Sequence, residues 1–250
     1  MARAGTWISI LVGGAIAALG CDRTNGNVLG AGDVALFTDF DLGAQGWVSG
    51  FSDFSIDQAL ALQTVFDVRA MPAELNLNRE GFLTGGNNIS DDLFLYLKKR
   101  LTTADGIVAN RRYRVTVDVT FASNAPTGCV GVGGAPGEDV FLKAGASGTE
   151  PLTTVGPGGF VSLSVDKGNQ AAGGTAASVV DNIANGVPCD SVPVGQTAPY
   201  QLLTRMHTHN VTVQAGDTGD LWILVGTDSG FEGRTDLYYQ SIQVILDEVG

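Results

Sequence analysis

Histidine is almost missing from this chain, with two in all, His207 and His209. No G-x-S-x-G elbow occurs either, so any Ser-His-Asp machinery would have to be built on one of those two imidazoles. Cysteine is scarce, three residues without a C-x-x-C pair, which removes the usual thiolate metal sites. Basic residues are few, 14 against 26 acidic, and the resulting charge of -12 repels phosphate backbones and excludes nucleic acid as a partner. The Gly-rich stretch "GVGGAPGED" (131–139) lacks GK[ST] and has Pro136 where a dinucleotide fingerprint needs its last glycine, so it reads as a wide loop. Long apolar runs are absent beyond the N-terminus, which leaves nothing further on with the roughly 20 residues a spanning helix needs.

What is present begins with the leader. Arg3 precedes Trp7–Leu19, thirteen apolar or small residues with a single Ser. That is the order of an export signal and is too short to span a bilayer. Ala18, Leu19 and Gly20 run into Cys21 and resemble the bacterial lipobox, whose cysteine is acylated and becomes the mature N-terminus; Ala18 departs from the aliphatic residue the motif favours there. The resemblance implies cleavage after residue 20, lipidation of Cys21, a tether over 21–34 and a bacterial cell-envelope location at the periplasmic or outer surface, with the membrane as partner through the lipid. Cys129 and Cys189 then remain, and in an exported chain they are expected to form a disulfide, the alternative being two separate core thiols.

The rest of the chain reads as strands. In Arg112–Phe121 the residues Tyr113, Val115, Val117, Val119 and Phe121 alternate with polar ones, which gives one packed and one wet face. Ser241–Leu246 alternates likewise, with Ile242, Val244 and Leu246 inward, as do Val161, Leu163 and Val165 in 160–166. "DLFLYL" (92–97) and "LWILV" (221–225) are apolar on both faces and read as central strands covered by another layer or a loop, with Trp222 assigned to the core. Shorter strands are expected at 140–143 and 210–214, and Ile56–Phe66 reads as a loop with a helical turn. Many short strands, 35 glycines, no repeat and no internal linker predict an all-β, antiparallel two-sheet sandwich over residues 35–248. The length suits a jelly roll better than an immunoglobulin domain of about 100 residues.

"LFTDFDLGAQGW" (36–47), through Phe40, Asp41, Gly46 and Trp47, resembles the opening of jelly-roll carbohydrate-binding modules and galactose-binding-like domains. "ANRRYRVTVDVTF" and the closing "GDLWILVGTDSGFEGRTDLYYQSIQVIL" follow in the same order. The resemblance is one of pattern and fold over residues 35–247, and it implies a sandwich that binds sugars. Such modules often hold a structural Ca²⁺ between the early acid and an Asp of the last strand, but here that strand offers Tyr239-Gln240-Ser241-Ile242, with no carboxylate. "NNISDDLFLYLKKR", "GVGGAPGEDVFLKAGAS" and "GTDSGFEG" are similar to a group of bacterial lipoproteins to which no activity is attached.

A sugar site needs an aromatic platform beside amides and acids. Trp47, Phe51, Tyr238 and Tyr239 are the candidate platforms, with Asn87, Asn88, Asn169 and Gln170 as polar partners. Calcium takes six to eight hard oxygens, and Asp91, Asp228 and Glu232 are the first candidates, with a possible structural calcium as the only cofactor. His207 and His209, as alternate residues of a strand, either chelate a transition metal or stand as a solvent-facing pair. The expectation is a lipid-anchored, non-catalytic glycan-binding envelope protein. Its rivals are an assembly subunit that packs on another envelope protein and a glycan hydrolase built on two carboxylates.

Overall fold

The computed structural model describes residues 30, 32–90 and 92–250; the leader, Cys21, most of the tether and Asp91 lie outside them. Fifteen strands follow one another: β1 (Val34–Asp39), β2 (Val48–Ser52), β3 (Phe54–Ser55), β4 (Val65–Ala70), β5 (Glu80–Asn87), β6 (Leu93–Leu101), β7 (Arg112–Ser123), β8 (Val140–Ser147), β9 (Thr153–Val155), β10 (Phe160–Leu163), β11 (Ser178–Asn182), β12 (Gln201–Thr208), β13 (Val213–Gln214), β14 (Leu221–Ser229) and β15 (Arg234–Val249). Every helical element among the described residues is a short 3-10 turn, one of them at Ile56–Gln58 inside the stretch read as a loop with a helical turn. Among them no helix is long and apolar enough to cross a membrane.

Two antiparallel sheets make a sandwich. The first runs β12-β7-β15-β5-β4, with β1 paired to the second half of β15 and β13 to the start of β7. The second runs β11-β8-β14-β6-β2. β15 serves two neighbours on one edge, β5 along Arg234–Tyr239 and β1 along Ser241–Leu246; on its other edge a bulge at Gln240 shifts the register with β7.

The alternation seen in the sequence decides what faces inward. Tyr113, Val115, Val117, Val119 and Phe121 of β7 and Ile242, Val244 and Leu246 of β15 are buried against Leu221, Ile223 and Val225 of β14 and Leu142, Ala144 and Ala146 of β8. Each fully buried Val, Leu, Ile or Phe contributes about 1.5–3 kcal/mol relative to exposure.

The second sheet is covered on its outer face as well. Residues 148–177, which carry β9 and β10, cross that face, and a third small sheet forms as β3-β10-β9. Leu163 and Val165 pack on Phe94, Tyr96, Leu224 and Ala177. These two residues therefore seal the outside of the sandwich rather than its interior, which corrects the inward assignment made for them. The cover explains why β6 and β14 are apolar on both faces. Glycines make the close approach possible: a Cβ on Gly145 would stand 2.4 Å from the Ala176 carbonyl oxygen, and one on Gly226 would strike the Phe94 ring at 2.8 Å. Trp222 is on this outer side too, half-buried with Lys98 Nζ 5.3 Å from its ring, and not in the core where the sequence had put it.

Cys129 and Cys189 form a disulfide, with Cα atoms 5.1 Å apart. It joins the loop after β7 to the one after β11, and Cys189 N–H donates to the Thr127 carbonyl at 2.9 Å beside it.

Candidate functional site: an aromatic cleft and a buried ionic cluster

A cleft of about 350 Å³ opens between the two disulfide-linked loops and the start of β15. Ile183, Phe231 and the disulfide give it an apolar wall; Asn124, Gln196, Thr235, Arg234 and Asp236 give it polar edges. Arg234 grips Asp236 from Nε at 2.9 and 3.0 Å, and its Nη1 donates to the Gln63 carbonyl at 2.8 Å, so the pair is rigid. Two residues along β15 on the same face stands Tyr238, half-buried and edge-on to Tyr200 with ring centroids 5.4 Å apart. Tyr200 is held by its own N–H, which donates to Glu74 Oε1 at 3.1 Å. Burial first and the Asp236 carboxylate second push the Tyr200 phenol upward, so it stays a neutral donor. The arrangement offers apolar ring surface beside fixed hydrogen-bonding groups.

Of the platform candidates, only Tyr238 lies beside this cleft. Trp47 is 3% exposed and packs on Phe40 in the core, with its Nε1 donating to Thr38 Oγ1 at 2.9 Å. Tyr239 is fully buried because β15 alternates and puts it on the inner face. Phe51 stacks between Phe54, at 4.9 Å, and Phe66, at 6.1 Å, inside a smaller apolar cluster. None of these three presents a free ring, which overturns their reading as platforms. Of the amides, Asn88 is buried and ties Ser229 and Phe231 carbonyls at 2.9 and 3.0 Å. Asn87 ends β5 with its N–H on the Leu62 carbonyl at 2.7 Å, while Asn169 and Gln170 belong to the cover over the second sheet.

The histidines are not a solvent-facing pair. His209 is 4% exposed, with Nδ1 2.7 Å from Ser178 Oγ and Nε2 3.0 Å from the Thr175 carbonyl. A carbonyl only accepts, so Nε2 carries the proton and Nδ1 accepts from the serine; no lone pair is left for a metal. Burial, and for His209 also its neighbour His207, holds the rings below the ordinary imidazole range.

Sequence reasoning missed the densest polar feature. Under the cover, Asp53, Asp92 and Asp228 bring carboxylate oxygens within 4.8 Å of one another. Asp228 ends β14 on the outer face, Lys143 comes from β8 beside it, Lys167 from the cover, and Asp53 from a residue at φ 66 between β2 and β3. Asp228 Oδ2 accepts from Lys143 Nζ at 2.7 Å, Lys167 Nζ at 2.8 Å and the Gln170 N–H at 2.8 Å; Lys167 also reaches Asp53 at 3.0 Å. The spacing of the acids suits a cation, but the two ammonium groups already neutralise two of the three, so a divalent ion fits the site poorly. Glu232 is not among them; its N–H donates to the Val132 carbonyl at 2.8 Å. Near the early acids, Arg79 bonds Asp39 and, with the Gln240 amide oxygen turned toward it, that residue at 2.8 Å. The chain supplies its own cation there.

A lone lysine inside the otherwise apolar "VFLKAGAS" and the aspartate near the end of "LWILVGTDS" are the signals that could have found the cluster.

No family model matches the chain, and no curated protein matches its sequence. Solved structures of similar architecture include carbohydrate-binding modules and also a bacteriophage tailspike domain, an adhesin domain of Lys-gingipain from Porphyromonas gingivalis and a Stig cyclase from Fischerella. One carbohydrate-binding module of the β-sandwich superfamily, noted for promiscuous specificity, has 12% identity and a TM-score of 0.36 over 85% of this chain; the chain spans about 60% of that longer protein. TmCBM27, which recognises mannan, has 9% identity and a TM-score of 0.37 over 85% of this chain and 97% of its own. The CBM22-1 xylan-binding domain of Paenibacillus barcinonensis Xyn10C has 13% identity and a TM-score of 0.34 over 86% and 95%. At such values the likeness carries no argument about ligand or activity.

Proposed function

We infer that this chain is exported, is held to the envelope membrane through Cys21, and presents a non-catalytic β-sandwich whose Tyr200–Tyr238 cleft binds a glycan. The observation that carries the reading is one stretch of surface: the half-buried Tyr200–Tyr238 ring pair, two residues along β15 from Asp236, next to a cleft lined by the fixed Arg234–Asp236 pair with Asn124, Gln196 and Thr235. A pyranose has apolar C–H faces and a polar rim, which this lining complements. Among the described residues that line the cleft, Asp236 is the one carboxylate, and Arg234 holds it. Glycoside hydrolysis requires a pair of such groups with one free to act as acid. Export rests on the leader and on a disulfide of the kind oxidising compartments favour.

The test is a glycan array with the wild-type domain and the Tyr200→Ala and Tyr238→Ala variants. Binding that drops at least about tenfold in both variants, equivalent to 1.4 kcal/mol, supports the reading. No binding across plant, bacterial and host glycans, or binding that both variants retain, overturns it. Palmitate labelling in a bacterial host, lost in Cys21→Ala, tests the anchor separately.

A further inference from the structure

The cleft leaves the ionic cluster under the cover unexplained. Lys143 and Asp228 have side chains at 0% exposure, and a salt bridge that deep gains little over apolar packing. The bonding around each atom suggests another use. Lys143 Nζ gives two hydrogens to backbone carbonyls, of Lys167 at 3.0 Å and Ala172 at 2.9 Å. Its third direction points to Asp228, 2.7 Å away. As an ammonium Lys143 meets three acceptors; once one proton passes to Asp228, the same three directions hold an amine with two N–H donors and its lone pair facing the carboxyl group.

Asp228 is matched to the same role. Its Oδ2 sits between Lys167 Nζ and the Gln170 N–H, both at 2.8 Å, two donors placed as an oxyanion hole would be. Its Oδ1 is buried and has no donor, and the same is true of Asp92 Oδ1. The Asp92 and Asp228 carboxyl groups are within hydrogen-bonding reach of each other, which requires a proton on one of them. Burial first, then the Asp228 charge, pushes the Asp92 carboxyl up to about 7, so about half of the molecules hold that proton at neutral pH. Burial pulls Lys143 below the usual lysine range. Lys167 differs: burial lowers it, but Asp228 and Asp53 outweigh this and hold it as a cation.

With Lys167 and Asp53 as a fixed ion pair and one proton on Asp92, moving a proton from Lys143 to Asp228 leaves every other group neutral. Such a charge-free arrangement is the one a low-dielectric interior favours.

We propose that Lys143 and Asp228 are the precursors of an intramolecular isopeptide cross-link between β8 and β14, with Asp92 as the catalytic acid that serves its formation. Nζ of the neutral amine forms a bond to Asp228 Cγ, and the negative charge that develops on Oδ2 is met by Lys167 and Gln170. Oδ1, which carries the proton moved from Lys143, takes a second one from Asp92; the Cγ–Oδ1 bond breaks and that oxygen leaves as water, the charge on Oδ2 closes to the amide carbonyl, and Nζ returns a proton to Asp92. One water leaves through the cavity of about 230 Å³ that Asp53, Asp92 and Lys167 line. Nothing is oxidised or reduced and no co-reactant is consumed.

The experiment is mass spectrometry of the full chain as purified in its folded form, after denaturation and disulfide reduction, with peptide mapping. The expected mass is about 18 Da, one water, below that of the linear sequence present, mapped to a branched peptide that joins Lys143 to Asp228. Lys143→Arg, which keeps the charge, abolishes the deficit; Asp92→Asn lowers it at least about tenfold in the folded fraction. Separate, unmodified Lys143 and Asp228 peptides from folded wild-type protein overturn the proposal, as does a deficit mapped to other residues. A wild-type extent of cross-link in Asp92→Asn overturns the role given to that carboxyl group.

Discussion

At the scale of single residues, aromatic side chains divide by what their polar ends find. The Trp47 indole is buried with its Nε1–H on Thr38 Oγ1, itself fully buried, so ring and hydroxyl depend on each other. The Tyr239 hydroxyl is equally buried and finds no good hydrogen bond. Trp47→Phe strips Thr38 of its donor and opens a cavity, and is expected to cost about 2–4 kcal/mol. Tyr239→Phe removes an unsatisfied group and is expected to stay within about 1 kcal/mol of wild type. Urea unfolding of both variants checks the contrast; equal losses would show that the two polar ends are equivalent after all. No sequence pattern separates these rings, because a Gly-Trp after a Phe-acid pair and a Tyr-Tyr pair are consistent with either face of a strand.

At the scale of elements, strand faces were legible where alternation is strict. "RYRVTVDVTF" gave the buried side of β7 residue by residue, and "DLFLYL" with "LWILV" gave two central strands under a cover. The cover itself was not legible, since residues 148–177 read as ordinary turns and one short strand, and nothing local says that Leu163 and Val165 dock on Phe94 and Tyr96. The ionic cluster escaped for the same reason: its members come from β8, β14, the cover and two strand ends, so no stretch of sequence contains more than a fragment. The disulfide was legible because, with Cys21 read as the lipidated residue of an exported chain, elimination left one pair. It closes a 60-residue separation, for which loop entropy gives roughly 4 kcal/mol. Both cysteines also wall the cleft. The double variant Cys129→Ala/Cys189→Ala is therefore expected to lose about 2–4 kcal/mol of stability and to bind glycan more weakly at a temperature where it is still folded. Calorimetry and binding run side by side check both, and an unchanged melting temperature would mean that the loops are held by their hydrogen bonds alone.

At the scale of the whole molecule, global stability integrates opposed titrations. His209 spans the sandwich edge, from just past the end of β12 to Ser178 of β11 and to Thr175 of the cover, and does so as a neutral ring. Burial lowers its pKa below the ordinary 6.5, so the unfolded chain takes up a proton at a pH where the folded protein refuses it. Stability from this residue is complete above pH 6.5 and is lost as pH falls toward the folded value. Asp92 acts with the other sign. Its carboxyl group titrates near 7 in the fold against 3.8 ordinarily, so the folded state holds the extra proton between those values and gains stability as pH falls through them. A plain pH profile would show the sum, and variants separate it. Relative to His209→Gln, which keeps an amide donor and acceptor, wild type is expected to lose melting temperature from pH 7 to pH 5.5. Relative to Asp92→Asn, wild type is expected to gain over the same range. Parallel curves for wild type and His209→Gln would mean that the imidazole is protonated in the fold, and with it the bridge from edge to cover would have to be drawn with different donors.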